Sequence, residues 1–210
     1  MSFFAAAVAT IVSVVDPVGI APIFLALTPQ MDRPQRLRTM WRAVAVAAVI
    51  LVVFAFTGRF LLRGLGITVP AFSIAGGVLL LLIAIDMLFA RPSRTRGTPE
   101  EGMEALASQD VSVFPLAVPI LAGPGAIATV ILYMAQAGTD VGQIAAVMGA
   151  IAMALVASYI TMRASALLLV LLRETGVHVI SRVMGILLAA LAVQFILNGV
   201  NVYYHHTLSH

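Results

Sequence analysis

The chain has no cysteine, and all twelve of its basic side chains are arginine. The first absence excludes a disulfide framework, a thiolate metal site and a cysteine nucleophile. Charge of either sign is scarce as well. Only 10% of the 210 residues are charged and 61% are hydrophobic, where a soluble domain carries about 25% charged residues. Such a chain has too little charge to cover a water-soluble core, so lipid is its expected solvent. The formal charge of +3 is too small and too scattered for nucleic-acid binding. No glycine-rich phosphate loop precedes a lysine, and no His/Glu spacing suggests a metal site. His178 falls in a connection, and His205, His206 and His210 fall in the tail. The sequence therefore predicts no catalysis, no metal and no cofactor.

What it has instead is long apolar runs. A spanning helix needs roughly 20 mostly apolar residues, and six stretches qualify as candidates: Ser2 to Leu27, Ala43 to Gly58, Leu65 to Phe89, Val111 to Gly138, Val141 to Met162 and Val183 to Tyr204. The opening MSFFAAAVAT lacks a basic n-region and reads as a retained first span. One polar stretch, from Arg91 to Asp110, divides the chain almost in half. The expected organisation is a single transmembrane domain over 1–210. Repeat one covers about 1–90, a cytoplasmic linker about 91–110, and repeat two about 111–210. Ala164 to Leu172 is apolar but short, between Arg163 and Arg173. It reads either as an interfacial extension of the fifth helix or as a sign that Arg163 lies within the membrane.

The arginines are distributed unevenly. The first connection carries Arg33, Arg36, Arg38 and Arg42, the third Arg91, Arg94 and Arg96, and the fifth Arg163, Arg173 and Arg182. Only Arg59 and Arg63 fall in an even-numbered connection. The positive-inside rule then predicts a multi-pass protein with both termini on the non-cytoplasmic side.

The halves echo one another. AGGVLLLLIAIDMLF from Ala75 aligns with VMGILLAALAVQFIL from Val183, which pairs Gly77 with Gly185, Ala84 with Ala192 and Asp86 with Gln194. The first segment carries Asp16, Pro17, Gly19 and Pro22, and the fourth carries Pro115, Pro119 and then Gly123, Pro124 and Gly125. Each interruption comes about a dozen residues in, close to the midplane at about 1.5 Å per residue. The predicted fold is all-α integral membrane: six transmembrane helices as two inverted three-helix repeats, the first and fourth helices broken near the midplane.

Such breaks free backbone groups that hydrocarbon cannot satisfy. Half-helices starting near Ile20 and Ala126 are expected to offer N–H groups, and those ending near Val15 and Leu121 to offer carbonyls. The combination suits a small zwitterionic solute. Asp16 is the one acid predicted near the midplane. It suits binding a substrate ammonium, a proton or a cation, and equally suits capping the next helix. Asp86 is a second coupling candidate, or else an interfacial partner of Arg91. Gln194 and Asn198, spaced i, i+4, share a helix face that either lines the cavity or bonds another helix. A homo-oligomer is compatible with all of this.

The runs VVDPVGIAPIFLALTP, VPILAGPGAIATVI, LGITVPAFSIAGGVLLLLIAIDMLF and TGVHVISRVMGILLAALAVQFILNGV resemble the MarC family, also called the neutral amino acid transporter family, with its SnatA-type members. The resemblance covers nearly the whole chain in motif order. It implies six transmembrane helices, the bacterial plasma (inner) membrane and, as in some members, transport of small neutral amino acids such as glycine or alanine. The family's first motif often carries Asn where this chain has Asp16. The expected function is a secondary transporter of that type, proton-coupled through Asp16. The competing readings are a transporter or channel for another small solute, and a non-transporting membrane assembly protein.

Overall fold

The computed structural model describes residues 3–89 and 110–208. Most of the expected linker lies outside these residues, with Arg91, Arg94 and Arg96, as does His210. Among the described residues every regular element is helical. In chain order they are α1 (Phe3–Val15), α2 (Ile20–Leu27), α3 (Arg33–Gly64), α4 (Val69–Phe89), α5 (Ser112–Leu121), α6 (Pro124–Ala137), α7 (Val141–Arg163) and α8 (Ser165–Leu208).

Local chemistry sets most of the boundaries. Before α3, the Asp32 carboxylate accepts the Gln35 N–H at 2.8 Å and the Gln35 side chain accepts the Asp32 N–H at 3.2 Å. This reciprocal box satisfies two of the donors that a helix start leaves open. It places the start at Arg33, well ahead of the apolar run expected from Ala43. Arg33, Arg36, Arg38 and Arg42 are therefore on the helix and not in a loop. Asp140 caps α7 without that reciprocity, its carboxylate accepting both the Gln143 N–H and the Gln143 side-chain amide at 3.1 Å. Of the stretch from Ala164 to Leu172, Ala164 ends α7 and the residues from Ser165 on form the first turns of α8, so it does not extend α7. The break at Ala164 leaves the backbone satisfied on both sides: Ala164 N–H bonds Ile160 and Leu168 N–H bonds Ala164.

Five helical stretches are long and apolar enough to cross a bilayer: Phe3–Leu27, Arg33–Gly64, Val69–Phe89, Val141–Arg163 and His178–Tyr204. The pair Ser112–Leu121 and Pro124–Ala137, bent by 54°, makes a sixth if counted as one span. Cross-links sort the connections between two ends of the bundle. At one end the Arg36 guanidinium donates to the Thr28 carbonyl at 2.8 and 3.2 Å, and Arg42 pairs with Asp110 at 3.2 Å. At the other end Arg59 donates to the Gly138 carbonyl at 2.9 Å, joining the second connection to the fourth. At the first end the Asp110 carboxylate also accepts the Ser112 hydroxyl and, at 3.1 Å, the Ser112 N–H. The Ser112 hydroxyl bond is the main influence holding Asp110 below the usual carboxylate range.

Small residues let the helices approach closely. Ala43, Ala47 and Ala55 on α3 and Ala150 and Ala154 on α7 are fully or almost fully buried, and these two helices pack on each other and on their neighbours. The pairing of α4 with α8 is tighter. A Cβ on Gly77 would lie 2.8 Å from the Ala192 carbonyl oxygen and 3.1 Å from the Ile196 nitrogen. A Cβ on Gly185 would lie 3.2 Å from the Ala84 carbonyl oxygen and 3.3 Å from the Leu88 nitrogen. One on Gly199 would meet the Pro70 carbonyl at 2.8 Å. As residue numbers fall along α4, their partners' numbers rise along α8. The two helices are therefore antiparallel.

Candidate functional site

The first interruption is built around Asp16. α1 stops at Val15, and Asp16 follows with a positive φ of 49°, a left-handed conformation that Asp and Asn tolerate better than other side chains bearing a Cβ. Pro17 then lacks the N–H that would continue the ladder. Asp16 is only 3% exposed. Its carboxylate accepts the Gly19 N–H at 3.1 Å and lies where a Gly19 Cβ would have to sit, 2.2 Å from Oδ2. Glycine at 19 makes that approach feasible. The carboxylate also sits at the start of α2, where negative charge is favoured. Pro17 is buried, and Gly19 and Pro22 are half-buried.

The sequence predicts open donors at the start of α2, and the structure differs. Gly19 N–H is taken by the Asp16 carboxylate, Ile20 N–H by the Asp16 carbonyl and Ala21 N–H by the Val18 carbonyl. Pro22 has no N–H. The aspartate and its turn thus satisfy the donors that would otherwise face a ligand.

The second interruption differs in kind. In α5, Phe114 and Val118 are extended, each directly before a proline, as the clash with the proline ring demands. The turns are wide: Leu116 N–H bonds Val111 and Ala122 N–H bonds Ala117, each five residues back. At Gly123 the chain folds back so closely that a Cβ there would lie 2.3 Å from the Pro119 carbonyl oxygen. α6 then begins at Pro124, and Ile127 N–H bonds Gly123. The N–H groups of Gly125 and Ala126 lie in the first turn of α6, ahead of the Ile127 bond, where a helix leaves its donors open. Gly123 and Gly125 are buried and Pro124 is exposed.

The structure brings the two interruptions together. A Cβ on Gly125 would lie 2.4 Å from Ile83 Cδ1 and 3.2 Å from Val14 Cγ1, and Val14 is two residues before Asp16. Val14, Ile83, Pro119, Ile120 and Gly123 to Ala126 enclose a space of about 10 Å³, enough for one water. Gly125 and Ala126, in the first turn of α6, are part of its lining. The Pro119 and Ile120 carbonyls lie at the Gly123 turn on the opposite side of the break. The site as observed is small and only partly enclosed, with Pro124 of its lining exposed.

Gln194 and Asn198 do not join it. Both are exposed on α8, and Gln194 Nε2 donates to Asn198 Oδ1 at 2.8 Å. Asp86 is half-buried on α4, and its expected partner Arg91 lies outside the described residues. Among the described residues no group of three His, Cys, Asp or Glu side chains is placed to hold a metal. One polar link was not foreseen from the sequence, the bond between the Thr10 hydroxyl and Tyr133 Oη at 2.8 Å. It joins α1 to α6 beside edge-to-face contacts of Tyr133 with Phe3 and Phe195. A lone Thr and a lone Tyr in different halves carry no spacing signal, so nothing in the sequence pointed to the pair.

Comparison with known proteins gives a consistent picture. A UPF0056 membrane protein of Methanocaldococcus jannaschii is 36% identical over 201 residues, 95% of this chain and 97% of the relative. The Escherichia coli UPF0056 membrane protein YhcE is 35% identical, covering 90% of this chain and 87% of its own. The E. coli UPF0056 inner membrane protein YhgN is 31% identical, covering 97% and 98%. No solved structure matches the chain. The model of the MarC family of integral membrane proteins matches residues 1–204. With its apolar helices and relatives matched along almost their whole length, the chain is a multi-pass integral membrane protein that belongs to the MarC family.

Proposed function

We propose that the chain is a secondary transporter of small neutral amino acids of the glycine or alanine type, working by alternating access around the two interruptions. The observation that carries this reading is the meeting of Val14 with Gly125, which joins one interruption from each half in one buried place. Unsatisfied backbone in a membrane is tolerated where it is buried in protein or lines a polar path. At the second interruption, N–H groups at Gly125 and Ala126 face a carboxylate's needs, and the Pro119 and Ile120 carbonyls an ammonium's. The water-sized space there is too small for such a solute, and rocking of one half against the other would widen it. Asp16, buried two residues beyond Val14, is the coupling candidate. Any uphill movement draws on an ion gradient, because the sequence has no nucleotide-binding motif.

The contacts support an inverted repeat as the framework. Gly77 meets Ala192 and Ile196, and Gly185 meets Ala84 and Leu88. Each partner is the aligned counterpart of the other's, the exchange expected about a two-fold axis. Helix packing follows the same exchange: α1 packs on α7 and α5 on α3, while α2 packs on α8 and α6 on α4.

In liposomes, the purified protein is expected to carry labelled glycine or alanine, with flux that rises under an imposed pH gradient. Flux equal to that of protein-free liposomes across a panel of small neutral amino acids rejects the reading and favours a non-transporting role. Flux of only unrelated solutes keeps the transporter and discards the substrate. We further propose that the arginine-rich end, with Arg36 and Arg42, is cytoplasmic, in a bacterial inner membrane. A reporter fused after residue 210 is then expected to be active only on the non-cytoplasmic side. Activity in the cytoplasm reverses the orientation.

A further inference from the structure

At the arginine-rich end, away from the interruptions, lies a second and larger cavity of about 270 Å³. Its lining brings together Arg33 and Arg36 from the start of α3 and Arg163 from the end of α7. The rest of the wall is largely apolar, with Phe24, Met40 and Met162 prominent. Among the described residues no carboxylate lines it. The nearest acid in sequence, Asp32, spends its carboxylate on the start of α3. Three guanidinium groups on one half-open cavity repel one another unless an anion sits among them.

Arg36 is held in place. Its Nε and Nη2 donate to the Thr28 carbonyl at the end of α2, which leaves Nη1 for another acceptor. Arg33 and Arg163 are exposed. A planar guanidinium fork matches the oxygens of phosphate and is the side chain favoured for that anion. The cavity also adjoins an apolar surface. α8 supplies Ser165 and Ala166 to the lining, and its next turns carry Leu167, Val170 and Leu171, which are 63%, 77% and 70% exposed. Side chains of that kind outside the packed bundle belong against acyl chains. An arginine-lined cavity beside an apolar face is the arrangement that takes an anionic headgroup while its chains stay in lipid.

We infer that this cavity binds the phosphate ester of an anionic phospholipid, held by Arg33, Arg36 and Arg163. The inference does not depend on what the protein transports. The test is thermal unfolding of the whole protein in a neutral detergent, titrated with short-chain phosphatidylglycerol, short-chain phosphatidylcholine or soluble glycerol phosphate. Phosphatidylglycerol is expected to stabilise saturably and phosphatidylcholine to have far less effect. The double variant Arg33→Gln/Arg163→Gln is expected to bind phosphatidylglycerol roughly a hundredfold more weakly, about tenfold for each charge-assisted hydrogen bond removed. Arg36 is left unchanged because it also closes α2. Arg63→Gln, at the opposite end of the bundle, should leave the affinity as in the wild type. Equal unfolding temperatures of wild type and double variant without lipid show that the fold is intact. If glycerol phosphate matches phosphatidylglycerol, the phosphate chemistry stands and the source is a soluble ester. Equal responses to the two lipids, or an unchanged affinity in the double variant, overturn the proposal.

Discussion

Asp16→Val is expected to destabilise the protein by about 2–5 kcal/mol, while Asp16→Asn leaves the fold intact. Two effects add in the valine variant. A β-branched side chain at a left-handed φ of 49° costs about 1–2 kcal/mol. Loss of the carboxylate also leaves the Gly19 N–H, now bonded at 3.1 Å, without its acceptor, at about 1–3 kcal/mol. Asparagine keeps an acceptor oxygen and tolerates the left-handed region, so it separates the charge of Asp16 from its shape. Thermal unfolding in detergent reads the first comparison. Valine and asparagine variants of equal stability would mean that the turn does not depend on Asp16. Flux through the asparagine variant reads the second. If Asp16 carries the proton, transport by that variant loses its dependence on the pH gradient, and an unchanged dependence moves coupling elsewhere.

Much of this was legible in the sequence, for physical reasons that can be named. Spans are visible because lipid demands long apolar runs, and five of the six expected stretches have counterparts that meet the requirement alone. The interruptions are visible because proline and glycine act on the backbone directly: α1 ends one residue before Asp16, and α6 starts at Pro124. The start of α3 was not legible from hydropathy, because it depends on the Asp32–Gln35 box, and a capping box works equally well next to arginines. The use of the donors was also hidden. A sequence shows that Asp16 can cap and that α2 needs caps, but only the geometry shows that Gly19, Ile20 and Ala21 are all satisfied locally. That finding makes the two interruptions unequal, with the helix-start N–H groups proposed for the solute concentrated in the second half. The spacing of Gln194 and Asn198 correctly put them on one face, but spacing cannot tell an inner face from an outer one.

That inequality makes the second interruption the place where stability and transport should come apart. Gly123→Ala is expected to cost about 2–3 kcal/mol, because its Cβ would lie 2.3 Å from the Pro119 carbonyl oxygen. That oxygen belongs to the backbone and can move only if α5 and α6 separate at their junction. Gly125→Ala meets a different obstacle. Its nearest neighbour is Ile83 Cδ1 at 2.4 Å, the far end of a flexible side chain that another rotamer can move. The fold should therefore tolerate alanine at 125 within about 1 kcal/mol. The same methyl group, however, enters the water-sized space between Val14 and the Gly125 and Ala126 N–H groups, where a substrate carboxylate would have to dock. Flux by the Gly125 variant is expected to fall about tenfold, equivalent to about 1.4 kcal/mol on the transport barrier. Unfolding temperature and liposome flux measured on the same preparations separate the two effects. A Gly125→Ala protein with wild-type stability and wild-type flux would take the substrate path away from this junction. A Gly125→Ala protein as unstable as Gly123→Ala would show that Ile83 cannot yield and that the close packing of α4 on α6 is itself structural.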